Sequence, residues 1–259
     1  MRHPYFVERL TDDMISKCWE DSSRDYSGNI HYNMRKDIIF ELKERKILRK
    51  DRTLLDIGCG PGTYAIPMSS HVKQIDCIDS SMGMLNRLLA ERDWNNVKNI
   101  SVKLEDWRDR VSRKTHDVVF TSLCPPTNTP ESILKMENCA LKECVYISSA
   151  NKDPVLSKDL WKRLGKNYSF EGYNTRYPFE FLKECGRNPS LKMFSDEIVT
   201  DRSLEEAVQD EIKRLSVYTK VDEETQKIIM DVYSDHAEDS RIIVKSKLNL
   251  GLLTWTPCD

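Results

Sequence analysis

A chain of 259 residues can form one large domain, or one domain with an elaboration, and 39% hydrophobic residues suffice for a core. Forty basic and 42 acidic side chains leave a net charge of −2, so no strong positive field favours nucleic acid or an anionic membrane as the partner. Since there is no apolar run of about 18 residues and no hydrophobic leader at the N-terminus, the sequence predicts a cytoplasmic protein without membrane partners.

Eight cysteines are scattered along the chain, without a C-x2-C pair or a matching pair of histidines. This distribution argues against a zinc site and is typical of free thiols in a reducing compartment. The sequence therefore predicts no metal site.

The first half of the chain alternates predicted strands and helices. Apolar spacing predicts N-terminal helices over 8–19 and 31–47, and further helices near 63–70, 81–92 and 130–141. The predicted strands are TLLDIG (53–58), KQIDCID (73–79), NISVKLE (99–105), DVVFTSL (117–123) and ECVYISS (143–149). Such alternation is typical of an α/β fold whose parallel sheet carries helices on both faces.

The second half is less regular. The pattern predicts a helix that ends at Gly165, followed by an aromatic and turn-rich stretch over 166–189. Next come a predicted strand over 190–199 and predicted helices over 203–216 and 222–237. The last predicted element is a strand over 241–257 with turn signals around Leu248–Gly251. Because no Pro/Gly-rich linker divides the chain, we expect a single domain. Its parts are N-terminal helices (1–50), a cofactor-binding core (51–150), a substrate lid (151–240) and a C-terminal strand region (241–259).

The stretch LLDIGCGPG (54–62) has the strand, G-x-G and helix layout of a nucleotide site in an open α/β sheet. Glycines there allow a tight turn and a close approach of the ligand. A dinucleotide fingerprint would need glycine at position 63, where this chain has Thr63. Asp56 would repel a pyrophosphate but attract a ligand that carries an ammonium and a sulfonium. The stretch therefore favours a cationic ligand.

A second element, IDCIDSSMGML (75–85), is an apolar strand that ends in Asp79, about twenty residues beyond Gly58. An acid at this place accepts hydrogen bonds from ribose hydroxyls. The alternative is that Asp79 only caps the following helix. Asp76 lies inside the strand, so we favour Asp79 for the ribose.

These two stretches and LEDW (104–107), in this order and spacing, resemble the class I S-adenosylmethionine-dependent methyltransferases. The resemblance covers about 50–150 and implies a seven-stranded, mostly parallel, doubly wound sheet with N-terminal helices and a helical, aromatic insert. It implies S-adenosylmethionine as cofactor, held by Asp56, Gly58, Cys59, Gly60, Gly62, Asp79, Ser80, Met84 and Leu123.

The resemblance also gives LEDW a role. It implies that Asp106 binds the adenine amino group and that Trp107 packs beside the ring. The alternative is that Asp106 caps a turn and Trp107 belongs to the core. Tyr26 could close over the cofactor, as an N-terminal aromatic residue does in relatives, or could be an ordinary surface or core tyrosine.

The fourth predicted strand ends in SLCPPTNTP (122–130), where a substrate would lie. Relatives that methylate planar amines carry Asp, Asn or Ser there, then two prolines and an aromatic residue. Here Cys124 precedes the prolines and Thr127 follows them; a thiol accepts hydrogen bonds poorly, and no base is evident that would make Cys124 a nucleophile. We therefore expect the prolines to stiffen the loop and shape the pocket.

Aromatic residues between 168 and 181 predict either an apolar wall of the substrate site or packing of an irregular segment. The expected substrate contacts are Cys124, Pro125, Tyr173 and Tyr177. His31 is the one histidine worth testing as a base, but an ordinary structural role is favoured for it. The catalytic residue thus stays unassigned.

The resulting expectation is an S-adenosylmethionine-dependent methyltransferase that acts on a small molecule, with its oligomeric state open. The sulfonium already activates the methyl group, so the protein has mainly to align the acceptor and exclude water. The alternatives are an RNA- or protein-methylating enzyme that uses the Cys-Pro-Pro loop, a protein that binds the cofactor without turnover, and an aminopropyl transferase. The last needs an additional acid that the sequence does not place.

Overall fold

The computed structural model describes residues 17, 19–21, 23, 32–151, 155–165, 175–216 and 220–258. The strands are β1 (Thr53–Ile57), β2 (Gln74–Asp79), β3 (Ile100–Leu104), β4 (His116–Ser122), β5 (Ala140–Asn151), β6 (Ser190–Ser203) and β7 (Arg241–Trp255). The α-helices are α1 (Tyr32–Glu44), α2 (Ala65–Ser69), α3 (Met82–Trp94), α4 (Pro130–Glu137), α5 (Val155–Arg163), α6 (Arg176–Glu184), α7 (Leu204–Ser216) and α8 (Glu223–Asp235). One turn of 3₁₀ helix spans Pro125–Thr127.

The seven strands form one sheet in the order β3-β2-β1-β4-β5-β7-β6. The pairings of β1 with β2 and β4, of β2 with β3 and of β4 with β5 are all parallel. The predicted α/β fold with a seven-stranded, mostly parallel sheet is therefore confirmed. Parallel strands place their carboxyl ends at one edge, so the loops that follow β1, β2 and β4 meet there.

The central strands are covered on both faces. In β1 the consecutive residues Leu54–Ile57 are all buried, and in β4 the same holds for Val118–Thr121. Because neighbouring side chains of a strand point to opposite faces, such continuous burial requires packing on both sides. The edge strand β3 differs, since only Ile100 is buried in it. This explains why β1 and β4 are near-continuously apolar in sequence.

The described residues divide into two compact units. One takes those within 19–150, 173–194 and 250–258, and its core includes Leu55, Ile57, Val119, Ile133, Met136, Tyr146 and Trp255. The other takes residue 17 and those within 151–172 and 195–249, and its core includes Leu160, Val208, Ile229, Val232 and Tyr233. The expected single domain, with a lid over 151–240, stays a prediction.

Three local predictions are wrong. The turn around Leu248–Gly251 is absent, because β7 continues to Trp255. Gly251 allows Thr175 to pack against the strand, since an added Cβ would lie 2.3 Å from Thr175 Oγ1. The predicted helix 130–141 ends at Glu137, since Ala140 already begins β5. Helix α6 lies in the stretch expected to be irregular, where Pro178 is tolerated in the first turn.

Candidate functional site

The glycine turn after β1 contains three glycines with positive φ, at +66° for Gly58, +53° for Gly60 and +83° for Gly62. A Cβ added at Gly58 would lie 2.4 Å from Cys124 Sγ, and one at Gly62 would lie 3.0 Å from Leu88 Cγ. A Cβ at Gly60 would meet nothing within 4 Å. Gly58 and Gly62 are thus required by packing, whereas Gly60 borders open space that a ligand can approach.

Hydrogen bonds tie this turn to the end of β2. The amides of Gly58 and Cys59 both donate to the carbonyl of Ile78, at 2.9 and 3.1 Å. The amide of Gly60 donates to Asp79 Oδ2 at 2.9 Å. The turn and the Asp79 carboxylate therefore form one connected unit at the carboxyl edge of the sheet.

Two carboxylates lie inside this unit. Asp56 is 2% exposed, and burial, together with the charge of Asp79, raises its pKa to about 8. Burial also raises the pKa of Asp79, although hydrogen bonds from the amides of Ser81 and Gly60 act in the opposite direction. Two neighbouring carboxyl groups are costly to ionise together. A cation that binds beside them stabilises their charged forms.

The helix after β2 is capped by Ser81, whose Oγ accepts from the amide of Met84 at 3.1 Å. The alternative that Asp79 is the helix cap is therefore wrong. Asp79 instead accepts from the amide of Ser81 at 2.9 Å and from the glycine turn. Ser80 is exposed beside it, and Met84 is buried in α3. The expected contacts of these residues with a cofactor stay predictions.

The acid after β3 is already paired. Asp106 accepts from the amide of Arg108 at 2.8 Å and from its Nε at 2.9 Å, and this hydrogen bonding lowers the pKa of Asp106. Trp107 is 4% exposed and donates from Nε1 to Ser132 Oγ at 2.6 Å. The structure thus gives Asp106 a turn-capping contact and Trp107 a place in the core, while their contacts with an adenine ring stay predictions.

The loop after β4 is held in a strained conformation. Leu123 has a φ of +50°, which a side chain bearing a Cβ rarely adopts, and its amide donates to the carbonyl of Ile147 at 2.9 Å. The carbonyl of Cys124 accepts from the amide and the hydroxyl of Thr127, at 3.1 and 2.7 Å. Together with the 3₁₀ turn that begins at Pro125, these bonds make the loop stiff, as its prolines indicate.

Cys124 fills the space that Gly58 leaves open. Burial, and next the charge of Asp79, raise the pKa of its thiol to about 12, so the sulfur stays protonated at neutral pH. A protonated thiol is a poor nucleophile. The geometry therefore favours a packing role for Cys124 and offers no support for a nucleophilic one.

Among the expected substrate residues, Tyr177 lies in the first turn of α6. Its ring stacks on Phe181 with centroids 6.4 Å apart, and partial burial, followed by the charges of Glu131 and Glu184, raises its pKa. Tyr26, Tyr173 and His31 lie outside the described residues. The structure brings together the glycine turn, Asp79 and Cys124; the substrate roles of Cys124, Pro125 and Tyr177 stay predictions.

Sequence reasoning missed Glu20, whose carboxylate lies on the first turn of α3 and accepts from the amide of Gly83 at 3.0 Å. One signal was available, since Gly83 is a glycine inside a predicted helix, where such a residue often marks a close approach. Within the described ranges, no group of three or more His, Cys, Asp or Glu could hold a metal ion. None of the helices described is long and apolar enough to cross a bilayer.

The contact between Gly58 and Cys124 predicts a large loss of stability for Gly58→Ala. We expect about 1–2 kcal/mol from the positive φ and about 1–3 kcal/mol more from overpacking against the sulfur. Gly165→Ala is the matched control, because Gly165 has the same φ of +66° but nothing within 4 Å of an added Cβ. Urea unfolding measures both free energies. Equal losses at the two positions would contradict the contact, and Cys124→Ala should recover part of the loss at Gly58.

Comparison with known proteins agrees with this geometry. The profile of a family described as methyltransferase domain matches residues 54–141, which include the glycine turn and the loop after β4. A protein of Invertebrate iridescent virus 6 described as a methyltransferase is 26% identical over 195 residues, which are 70% of this chain and 66% of that one.

A Methanococcus maripaludis protein described as cobalt-precorrin-6B C(15)-methyltransferase is 28% identical over 130 residues, which are 50% of this chain and 71% of that one. Among curated relatives, the chain spans 46 to 71% of their length.

The fold also matches solved structures. Magnesium protoporphyrin IX methyltransferase from Synechocystis, solved with bound S-adenosylhomocysteine, has a TM-score of 0.53 at 13% identity, over 92% of each chain. This similarity concerns the fold, and the family profile concerns residues 54–141. Residues 54–141 thus match a methyltransferase-domain family, and the sheet order and the glycine turn agree with the resemblance to class I S-adenosylmethionine-dependent methyltransferases.

Proposed function

We propose that this protein transfers a methyl group from S-adenosylmethionine to a small molecule. The observation that carries the proposal is the glycine turn, in which Gly60 borders open space next to the buried carboxyl group of Asp56 and the half-buried carboxyl group of Asp79. A cationic ligand suits this site better than a pyrophosphate, which two neighbouring acids would repel.

The residues present fit such a cofactor. The open side of Gly60 leaves room for close approach of a ligand to the backbone, which a Cβ would obstruct. Asp56 would stabilise the positive charge of the ligand, and Asp79 would accept hydrogen bonds from its ribose. Asp106 would bind the adenine amino group, in exchange for part of its bonding to Arg108. The other proposed contacts are Gly58, Cys59, Gly62, Ser80, Met84, Trp107, Leu123 and Tyr26.

When bound, S-adenosylmethionine supplies a methyl group that its sulfonium has already activated. The chain then has to bind and orient the two reactants and keep water away. The stiff loop at Leu123–Thr127 is suited to orientation, because its backbone is fixed by hydrogen bonds to β5 and within the loop. No side chain is assigned as the base that receives a proton from the acceptor.

A small-molecule acceptor is favoured by the net charge of −2, which provides no general attraction for RNA. Two of the similar proteins are described by names that refer to tetrapyrrole-type substrates, a cobalt-precorrin in one and magnesium protoporphyrin IX in the other. From these names we infer only that the acceptor of this protein is a small molecule.

Two measurements test the proposal. Calorimetry should detect binding of S-adenosylmethionine and S-adenosylhomocysteine but not of NAD⁺. Incubation with methyl-labelled cofactor and size-fractionated cell extract should then place the label in the small-molecule fraction. Label in RNA or protein would favour a macromolecular acceptor, and tight binding without transfer to any fraction would favour a protein that only holds the cofactor. No binding at all would overturn the proposal.

A further inference from the structure

The first turn of α3 is occupied by a carboxylate from the N-terminal part of the chain. Both oxygens of Glu20 lie 3.0 Å from the amide of Gly83, and Oε2 accepts from Ser81 Oγ at 2.6 Å. The N-terminus of an α-helix carries unpaired amides and a partial positive charge. A carboxylate in this place is therefore held by two hydrogen-bond donors and by the helix dipole.

The helix is shaped for this contact. A Cβ added at Gly83 would lie 2.2 Å from Ser23 Oγ and 2.9 Å from Glu20 Oε1. On the next turn, Arg87 Nη1 donates to the carbonyl of Ser23 at 2.7 Å. Glycine is otherwise unfavourable inside a helix, so its presence at this position matches the close approach of the N-terminal segment.

The contact continues into the proposed cofactor site through Ser81. The hydroxyl of Ser81 donates to Glu20, while its amide donates to Asp79 Oδ1 at 2.9 Å. The other oxygen of Asp79 accepts from the amide of Gly60 at 2.9 Å. Hydrogen bonds through Ser81 and Asp79 thus connect Glu20 to Gly60, the glycine of the turn that borders open space.

We propose that residues 19–21 and 23 are a latch on the proposed cofactor site and that Glu20 is its positioning residue. Docked on α3, the latch holds the 79–81 turn in place and slows the release of the adenosyl cofactor. Opening the latch frees Ser81 and loosens the carboxylate that is proposed to hold the ribose. This inference rests on the proposed function, because it assigns a role within the same site.

The decisive variant is Gly83→Ala, which blocks docking by steric overlap while making the helix itself more favourable. Asn86→Ala is the matched control, since Asn86 is exposed on the same helix and also gains helix propensity. Stopped-flow measurement should show S-adenosylhomocysteine leaving Gly83→Ala about tenfold faster than the wild type and Asn86→Ala at the wild-type rate. Hydrogen exchange of the latch residues should accelerate in Gly83→Ala but not in Asn86→Ala.

Two further variants separate a latch from general damage. Glu20→Ala should accelerate release as much as Gly83→Ala, and Glu20→Gln less, because the amide oxygen still accepts a hydrogen bond. Adding Ser23→Gly to Gly83→Ala removes the nearest overlap and should restore slow release. Cofactor binding with unchanged release rates in both Gly83→Ala and Glu20→Ala would overturn the latch alone. Absence of binding by the wild type would overturn the proposed function, and the latch with it.

Discussion

Gly60→Arg is expected to abolish binding of S-adenosylmethionine while the protein stays folded. The new side chain would extend into the open space beside the glycine turn, where nothing lies within 4 Å of an added Cβ. Its guanidinium would also neutralise the acids that attract the cofactor, because Asp79 accepts directly from the amide of Gly60. Calorimetry should show an affinity at least about 100-fold lower, a loss of about 2.8 kcal/mol or more.

The control for this variant is Gly60→Ala. It carries the same conformational cost of about 1–2 kcal/mol at a φ of +53° but adds only a methyl group. Its binding should therefore fall much less than that of Gly60→Arg, and both variants should unfold cooperatively in urea. Unchanged affinity in a folded Gly60→Arg protein would show that the ligand does not approach this turn.

Cofactor affinity is expected to rise steeply between pH 6 and pH 8. In the free protein, burial and the charge of Asp79 hold the pKa of Asp56 at about 8, so the carboxyl group is mostly protonated at pH 6. A cationic ligand favours the carboxylate and lowers this pKa in the complex, so binding below pH 8 releases a proton. The affinity should then increase by up to about tenfold per pH unit, or about 100-fold over this range.

Calorimetry in buffers of different ionisation enthalpy measures that proton directly. The wild type should release close to one proton at pH 6.5 and fewer near pH 8.5. Asp56→Asn should bind the cofactor more weakly at pH 8, and its remaining affinity should vary little with pH. Any pH dependence that is left comes from the carboxyl group of Asp79, whose pKa is also raised. A flat pH profile in the wild type would contradict a cation bound beside Asp56.

The strands β1, β2 and β4 could be predicted because they are short and mainly apolar. The strands TLLDIG and KQIDCID were placed to within one residue, as β1 (Thr53–Ile57) and β2 (Gln74–Asp79). The starts of the helices predicted over 203–216 and 222–237 also agree with local capping: Ser203 and Glu206 bond reciprocally, and Asp222 accepts from the amide of Thr225. Such local signals involve few residues and are not changed by tertiary contacts.

Predictions failed where packing between distant residues decides the structure. Gly251 was taken as part of a turn, although it is needed because Thr175 packs directly on it. The positive φ of Leu123 left no trace in the sequence, since leucine does not favour that conformation. For the site, the glycines and Asp79 could be predicted from a short pattern. The contact between Glu20 and α3 could not, because it joins residues more than sixty positions apart.

The fit of Cys124 against Gly58 limits how this domain can diversify. Because Cys124 Sγ lies only 2.4 Å from where a Cβ at position 58 would be, position 58 can accept a larger residue only if the residue at position 124 becomes smaller. The two positions should therefore covary among descendants of this gene. New acceptor specificity is expected to arise outside this pair, where a substitution need not disturb the turn that is proposed to bind the methyl donor.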